Sequence, residues 1–309
     1  MTNQSTLKYS SEISLSELLV VFWNKKVLIS FITAIFAIFS IFLAISIPNK
    51  FTSTAVLMKA TSTDSSALDG LSQFAGVASL AGISLPGGGN DRTIEAIEII
   101  KSFEFFNTNF LPNIKLENLL AVKKWDYIKQ ELEYDGALYN QEKNIWVREV
   151  SYPKKTIPSF QEAYKTYKVI MNISQDNKTS FVNLSVQHHS PYIAKKWADI
   201  IVSEINNSMR NADKLQAMKS VNFLNSQLPN VNYEEVRTAI SKLKGQQLKS
   251  LMLIESTEDY IFKSIESPIA SELKSSPNRP LICFFITLFG FIFSLFFVIL
   301  QLQHKKIVS

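Results

Sequence analysis

The chain has 309 residues, of which 46% are hydrophobic, and a formal net charge of +5. Its only cysteine, Cys283, excludes an intramolecular disulfide, and three histidines, two of them adjacent, argue against a histidine-based metal site. Five of the 32 basic and two of the 27 acidic residues lie in the terminal tails, which leaves a net charge of +2 in between. This nearly neutral middle argues against a nucleic-acid partner.

The first apolar segment is uncharged from Val27 to Ile47. Its small residues Ala44 and Ser46 resemble a signal-peptide cleavage site, but the apolar core of a signal peptide usually has only about 7–15 residues. We therefore interpret residues 27–47 as an uncleaved membrane span and residues 1–26 as a cytoplasmic tail.

Residues 51–60, which follow this span, are rich in β-branched and apolar side chains and predict a strand.

A Gly-rich stretch comes next. Its Gly87–Gly89 triplet is not followed by the Gly-Lys-Ser/Thr of a phosphate-binding loop, so a flexible loop is the favoured interpretation. Asn90 or Asp91 is then expected to cap a helix. The predicted apolar face of that helix comprises Ile94, Ile97, Ile100 and Phe105.

The composition of residues 115–157 is mixed and indicates short helices, and residues 157–167 predict a further helix. Two β-rich runs then flank Gln175–Thr179, where Asp176 and Asn177 are turn-forming residues. This pattern predicts a β-hairpin that ends at the adjacent histidines.

A long helix is predicted from Pro191 to about Leu228, and Pro229 ends it. A second helix, over residues 233–254, returns along it, and together they predict an antiparallel helical hairpin at about 191–255 that projects away from the bilayer. The apolar stripes of the two helices are Ile193, Trp197, Ile200, Ile201, Ile205, Met209, Met218, Val221 and Leu224, then Val236, Ile240, Leu243, Leu248, Leu251 and Ile254. Residues 259–269 predict a strand that rejoins the sheet.

The second uncharged segment, Leu281–Leu302, is about 33 Å long as a helix, enough to cross a bilayer core of about 30 Å. Four lysines flank the two spans and predict cytoplasmic termini by the positive-inside rule: Lys25, Lys26, Lys305 and Lys306. Residues 48–280 are then an extracytoplasmic domain, and residues 303–309 a second cytoplasmic tail. The predicted fold class is α+β, with two transmembrane helices flanking an α/β base that carries the helical hairpin.

Several polar pairs in this domain are candidates for catalysis or metal binding, and a structural role is favoured for each. His188 and His189 lack further metal ligands nearby in sequence, and Glu234 and Glu235 open a helix, where acidic residues stabilise the dipole. Glu95 and Glu98 share one helix face without metal-ligand spacing. The lysines of the return helix are compatible with contact to an anionic glycan or with a solvated face: Lys242, Lys244 and Lys249. No catalytic, cofactor or metal site is predicted.

Six stretches carry a resemblance to a known family, in the same order along the chain. They are ISLSELLVVFWNKKVLI, FTSTAVLMKA, FAGVASLAGISLPGGG, SVQHHSPYIAKKWADIIVSEINNSMR, EVRTAISKLKGQQLKSLMLIESTEDYIFKSIESP and SPNRPLICFFITLFG. Together with the two spans, they resemble the Wzz-type chain-length determinants, the polysaccharide co-polymerases of Gram-negative inner membranes. Because the chain stops at Ser309, the resemblance implies the branch of this family without a fused tyrosine kinase.

The resemblance implies a non-catalytic regulator of O-antigen, lipopolysaccharide or related polysaccharide length. Its expected partners are further copies of itself in a ring, the polysaccharide polymerase, lipid-linked polysaccharide and the inner membrane. The hairpin and the loop at Leu71–Gly89 are then candidate subunit contacts. The hairpin residues proposed for this role are Trp197, Ile201, Leu243, Leu251 and Ile254, and replacing Leu251 and Ile254 with Asp is expected to break oligomers.

Two other functions stay open at this point, a two-span extracytoplasmic receptor subunit and a membrane-bound glycan-processing enzyme. The short tails argue against a receptor, which usually needs a cytoplasmic output domain. The last span departs from the family pattern in one respect. Gly290 is its only glycine, so the sequence lacks the small-residue pattern that usually allows two spans to pack closely.

Overall fold

The computed structural model describes residues 22–60 and 89–308. Most of the N-terminal tail and most of the Gly-rich stretch lie outside the described residues. The described α-helices of five or more residues are α1 (Lys26–Ser46), α2 (Gly89–Lys101), α3 (Leu116–Leu120), α4 (Phe160–Ile170), α5 (Pro191–Gln227), α6 (Glu234–Ser256) and α7 (Arg279–Val308), and shorter helical turns follow α2 over residues 103–113. The described strands are β1 (Phe51–Lys59), β2 (Val122–Asp126), β3 (Glu131–Tyr134), β4 (Tyr139–Asn140), β5 (Ile145–Trp146), β6 (Met171–Gln175), β7 (Val182–His188) and β8 (Phe262–Glu266).

The chain divides into two compact units. One unit contains the chain up to Pro48 and from Ser276 onward, and the other is Asn49–Ser275. The α+β class is confirmed, and both apolar segments form helices long and apolar enough to cross a membrane: Lys26–Ser46 and Arg279–Gln301.

Helices α1 and α7 pack against each other in the first unit. The ring of Phe36 lies over Gly290, where an added Cβ would come within 3.0 Å of three side-chain atoms of Phe36. Phe36 also contacts Phe289 and Phe293, with ring centroids 6.2 and 5.9 Å away. The two helices therefore pack closely although the usual small-residue pattern is missing, because one glycine opposite one aromatic ring is enough for a close approach.

An antiparallel four-stranded sheet forms the base of the second unit, in the order β6-β7-β1-β8. In the central pair, Phe51 lies opposite His188 and Leu57 lies opposite Val182. Alternate residues of β1 and β7 are buried, as expected for a sheet with one face on a core. The predicted first strand, the β6–β7 hairpin and the returning strand are confirmed.

The core of this unit lies between the sheet, the first half of α5, and helices α2 and α4. Its centre is a group of buried or half-buried rings: Phe106, Phe110, Tyr164, Tyr167 and Trp197. The hydroxyl of Tyr167 is also buried and donates to the carbonyl oxygen of Ile100 at 2.9 Å, so this ring adds no unpaired polar group to the core.

Helices α5 and α6 form the predicted helical hairpin. Pro191 is in the first turn of α5, where its missing N–H removes no helical hydrogen bond, and the 37-residue helix ends at Gln227, two residues before Pro229. Helix α6 packs along α5 in the reverse chain direction, since Lys214 of α5 pairs with Glu255 at the end of α6 while the end of α5 leads into the start of α6.

Three details differ from the sequence prediction. Residues 122–146 form strands β2–β5 rather than further short helices. Helix α4 continues to Ile170, past the predicted boundary, with a capping box formed by Ser159 and Glu162. Ile94 is 49% exposed, because Ala96, Ile97 and Ile100 supply the buried face of α2 instead.

Candidate functional site

The helical hairpin exposes several large apolar side chains to solvent. On α5, Leu215, Met218 and Phe223 are about half exposed, and on α6, Met252 is 70% exposed. Single exposed apolar side chains are common on soluble proteins, but several on one pair of helices are typical of an interaction surface. We call these four residues, with Val236 and Leu253, the hairpin apolar surface.

The predicted oligomer contacts divide into two groups. Trp197 is 2% exposed, Ile201 is fully buried, and Ile254 is 4% exposed, so their packing partners are within the subunit. A neighbouring subunit cannot contact these three without a rearrangement of the fold. Leu243 and Leu251 are half-buried and stay candidates for subunit contacts. The predicted loop contact over Leu71–Gly89 lies almost entirely outside the described residues.

Three polar residues of α5 connect the hairpin to the sheet. Asn206 donates to the carbonyl oxygen of Phe262 at 2.9 Å and accepts from the backbone N–H groups of Ile261 and Phe262, both at 2.9 Å. One Nη atom of Arg210 donates to the carbonyl oxygens of Thr257 and Glu258. The carboxylate of Asp213 accepts from the hydroxyl of Tyr260.

We call Asn206, Arg210 and Asp213 the root clamp, because all three bind residues 257–262 where the chain returns from α6 to β8. Their spacing of four and three residues places them on one helix face. The sequence patterns did not predict this group. The available signal was polar residues at helical spacing beside the buried positions Ile205 and Met209, which indicates polar partners elsewhere in the chain.

The root clamp also extends to the start of α2. The guanidinium of Arg92 donates to both carboxylate oxygens of Asp213, one of them at 3.3 Å, and the two side chains are only 25% and 20% exposed. Burial lowers the pKa of Arg92, but its hydrogen bond and attraction to Asp213 outweigh that effect and raise the pKa overall. Burial and the neighbouring Asp213 raise the pKa of Tyr260. The group is thus a structural ion pair with a satisfied hydroxyl.

The adjacent histidines are held by backbone groups. Nε2 of His188 lies 2.9 Å from the carbonyl oxygen of Asn118, and its Nδ1 accepts from the backbone N–H of Ser190 at 2.9 Å. Burial lowers the pKa of His188 to about 4, so the ring is neutral at pH 7. Nδ1 of His189 lies 3.0 Å from the carbonyl oxygen of Asn49, and burial lowers its pKa as well. Both rings therefore support the fold where strand β7 ends.

The acidic pairs also have structural partners. Glu95 pairs with Arg92 at 3.6 Å and Glu98 with Lys101 at 2.9 Å, while Glu234 and Glu235 occupy the first turn of α6. The lysines Lys242 and Lys249 are exposed, and Lys244 is half-buried. The described residues contain no group of three or more His, Cys, Asp or Glu side chains that could hold a metal ion.

A polar cleft lies between α5 and the end of β8. Its lining includes the acidic residues Asp199, Glu258 and Asp259, with Ser203 and Asn207 between them. Asp199 pairs with Lys195 at 2.8 Å. For a glycan-processing enzyme, these carboxylates would be the residues to test. No pair among Asp199, Glu258 and Asp259 has the close partners that mark a catalytic acid and base.

A family comparison matches the first third of the chain. Residues 11–108 match the Wzz family of chain length determinant proteins. This region includes α1, β1 and α2, and the match confirms the resemblance to the Wzz-type determinants there. Among curated proteins, none matches the sequence.

Solved structures give weaker similarities over more of the chain. A full-length bacterial polysaccharide co-polymerase is 13% identical, with a TM-score of 0.40, over 95% of this chain and 99% of that chain. A fragment of WzzB, a polysaccharide co-polymerase from Salmonella Typhimurium, is 15% identical, with a TM-score of 0.28, over 74% of this chain and 100% of that chain.

Proposed function

We propose that this protein regulates the chain length of a surface polysaccharide, such as O-antigen or a related lipid-linked polymer. The observation that carries the proposal is the family match over residues 11–108. The two apolar helices at the ends of the folded unit agree with a membrane-anchored protein of this type.

The proposed location is a Gram-negative inner membrane, with α1 and α7 as spans and residues 48–280 in the periplasm. Lys25 and Lys26 precede α1 in the chain, and Lys305 and Lys306 lie near the end of α7. Cationic residues that flank a span are retained in the cytoplasm, so both termini face inward in this proposal.

The proposed mechanism is that of a scaffold rather than an enzyme. Several subunits assemble through the hairpin apolar surface and surround or adjoin the polysaccharide polymerase. The periplasmic surface then changes the probability that elongation stops, through contact with the polymerase or with the growing glycan. The exposed lysines of α6 supply cations for a glycan contact.

Deleting the gene and sizing the glycan on a gel tests this proposal. A regulator predicts that polymer is still made but that its length distribution changes, and a plasmid copy should restore the distribution. Complete loss of polymer would instead indicate a biosynthetic enzyme or an exporter. Replacing Glu258 and Asp259 with Gln and Asn gives the matched test of the polar cleft, where unchanged polymer synthesis is expected.

Topology is tested separately with a membrane-impermeant cysteine reagent on intact spheroplasts. An exposed residue of the periplasmic unit, such as Lys178 in a Lys178→Cys variant, should react, whereas a cysteine in place of Ser5 should react only after lysis. Protection of residue 178 in intact spheroplasts would contradict the proposed orientation.

A further inference from the structure

Both connections to the apolar helices leave the second unit at the same place. The backbone N–H of Ser275 donates to the carbonyl oxygen of Lys50 at 2.9 Å, and Thr52 Oγ1 donates to Ser275 Oγ at 2.7 Å. Four residues lie between Ser46, the end of α1, and Phe51, the start of β1, and these five residue steps span at most about 18 Å. With the two apolar helices in a bilayer, on which this inference rests as part of the proposed function, that length of chain limits how far the Phe51 end of the sheet can lie from the lipid.

The tip of the β2–β3 hairpin lies at this end of the sheet. The ring of Tyr127 contacts the buried ring of Phe51 edge to face, with centroids 5.7 Å apart. The neighbouring Ile128 is 96% exposed, and Tyr127 is still 53% exposed. Leu273, two residues before the exit at Ser275, is 81% exposed. Exposing apolar side chains to water is unfavourable in free energy. Their position beside Lys50 and Ser275, where the chain leaves toward α1 and α7, therefore points to a contact with an apolar surface there.

The tip is held in a defined shape. Oδ1 of Asp126 accepts from the backbone N–H of Ile128 at 2.8 Å and from that of Lys129 at 3.1 Å. These bonds form an Asx turn that orders the tip locally. Its exposed isoleucine is thus presented by an ordered turn, which lowers the entropy lost when it binds a surface.

The opposite end of the sheet carries a turn of the same construction with different chemistry. Oδ1 of Asp176 accepts from the backbone N–H groups of Lys178 and Thr179 at 2.7 and 2.9 Å. This turn is separated from the Phe51 end by the seven-residue strand β7, about 20 Å. Its tip residues are Asn177 and Lys178, where the turn beside the exit has Tyr127 and Ile128.

We propose that the tip formed by Tyr127 and Ile128 inserts into the interfacial layer of the bilayer that holds the two apolar helices. Tyrosine favours the headgroup region because its ring is apolar and its hydroxyl stays hydrated, and the isoleucine enters the adjacent acyl boundary. The exposed Lys129 keeps its amine among the headgroups. The tip then forms a contact point with the membrane in addition to the two helices and restrains rotation of the periplasmic unit on its tethers.

Depth-dependent fluorescence quenching on the full chain in lipid nanodiscs tests this proposal. Ile128→Cys and Lys178→Cys, each in a Cys283→Ser background, are labelled with an environment-sensitive fluorophore, and nitroxide-bearing phospholipids are the quenchers. The two positions are the same residue of the two Asx turns, so they form a matched pair. Label on native Cys283, in α7, gives the reference for a position within the lipid.

The label at residue 128 is expected to lose about half its intensity with a quencher near the headgroups, while the label at residue 178 is unchanged. Equal quenching at the two positions would overturn the proposal. A label at residue 128 that neither aqueous iodide nor the lipid quenchers affect would also overturn the proposal, because that result indicates a protein partner. Because Ile128 is 96% exposed, its replacement by Cys is expected to leave folding intact.

Discussion

At the residue scale, His188 makes the stability of the fold depend on pH. Its Nδ1 accepts a hydrogen bond from the backbone N–H of Ser190, so protonation at that atom would place two donors against each other. Its ring also packs on Trp197, with centroids 4.7 Å apart. Burial therefore favours the neutral ring and lowers the pKa from 6.5 to about 4.

The unfolded chain binds this proton near pH 6.5, and the folded chain binds it near pH 4. Stability from His188 is therefore complete above pH 6.5 and is lost as the pH falls toward 4, by about 3 kcal/mol in total. Chemical unfolding at pH 7 and pH 5 measures this loss of stability. His188→Gln should remove most of the difference between the two pH values, and His189→Gln should remove a smaller part, because burial lowers the pKa of His189 as well but this ring is only half-buried. An unchanged pH slope in His188→Gln would count against the assignment.

The ion pair between Arg92 and Asp213 is partly buried and stabilises the junction between α2 and the root clamp. Asp213→Ala leaves Arg92 and the hydroxyl of Tyr260 without this partner, so we expect a loss of about 2 kcal/mol in the free energy of unfolding. The control is Asp199→Ala, which breaks an exposed pair on the same helix. It should cost less than about 0.5 kcal/mol. Equal losses of stability in the two variants would show that burial does not strengthen the pair between Arg92 and Asp213.

At the element scale, the helical hairpin was predictable but the roles of its residues were not. Periodicity indicated both helices because apolar residues recur at helical spacing, and Pro191 and Pro229 indicate where the first begins and ends. Periodicity cannot say whether an apolar stripe faces the subunit's own core or a neighbouring subunit. Trp197 and Ile201 illustrate this limit, since both are buried in the core.

An exposed residue of α6 is therefore the better target for testing assembly. Met252 is 70% exposed, so Met252→Asp should leave the subunit folded and weaken assembly, which native mass spectrometry in detergent measures. Ser241→Asp, also exposed on α6, is the control for added charge and should leave the oligomer intact. An unchanged subunit number in Met252→Asp would argue against the hairpin apolar surface as a contact.

Ile254 has a different expected effect from Met252, although only one residue separates them. Ile254 is 4% exposed, and placing a carboxylate there buries an unpaired charge in the subunit. We expect Ile254→Asp to reduce the free energy of unfolding by about 3 kcal/mol or more, with loss of assembly as a consequence. Ile254→Asp that unfolds like the native protein but dissociates would restore the residue as a direct subunit contact.

At the scale of the whole molecule, the two apolar helices form one unit because Gly290 lets α7 approach Phe36. Gly290→Ala overpacks this contact and should cost about 1–3 kcal/mol, seen as a lower melting temperature in detergent. Adding Phe36→Ala should recover part of the loss, because it removes the clashing ring. Leu300→Ala, at a 45% exposed position of α7, is the control and should have little effect. Equal losses in Gly290→Ala with and without Phe36→Ala would contradict the packing.

The amino-acid sequence by itself determined the two apolar helices, strands β1, β6, β7 and β8, and both helices of the hairpin. These features depend on the length and period of local apolar patterns, which the surrounding fold only confirms. The short strands β2–β5 were missed because their alternation is weak over so few residues.

Only the tertiary structure decided which side chains are buried and which polar groups meet. Arg92 and Asp213 are 121 residues apart in the chain, and Phe51 and Tyr127 come from different local elements. Local patterns show what a segment prefers, but a contact between distant segments depends on how the sheet and α5 bring them together. The root clamp and the exposed hairpin tip beside the chain exits are both consequences of that packing.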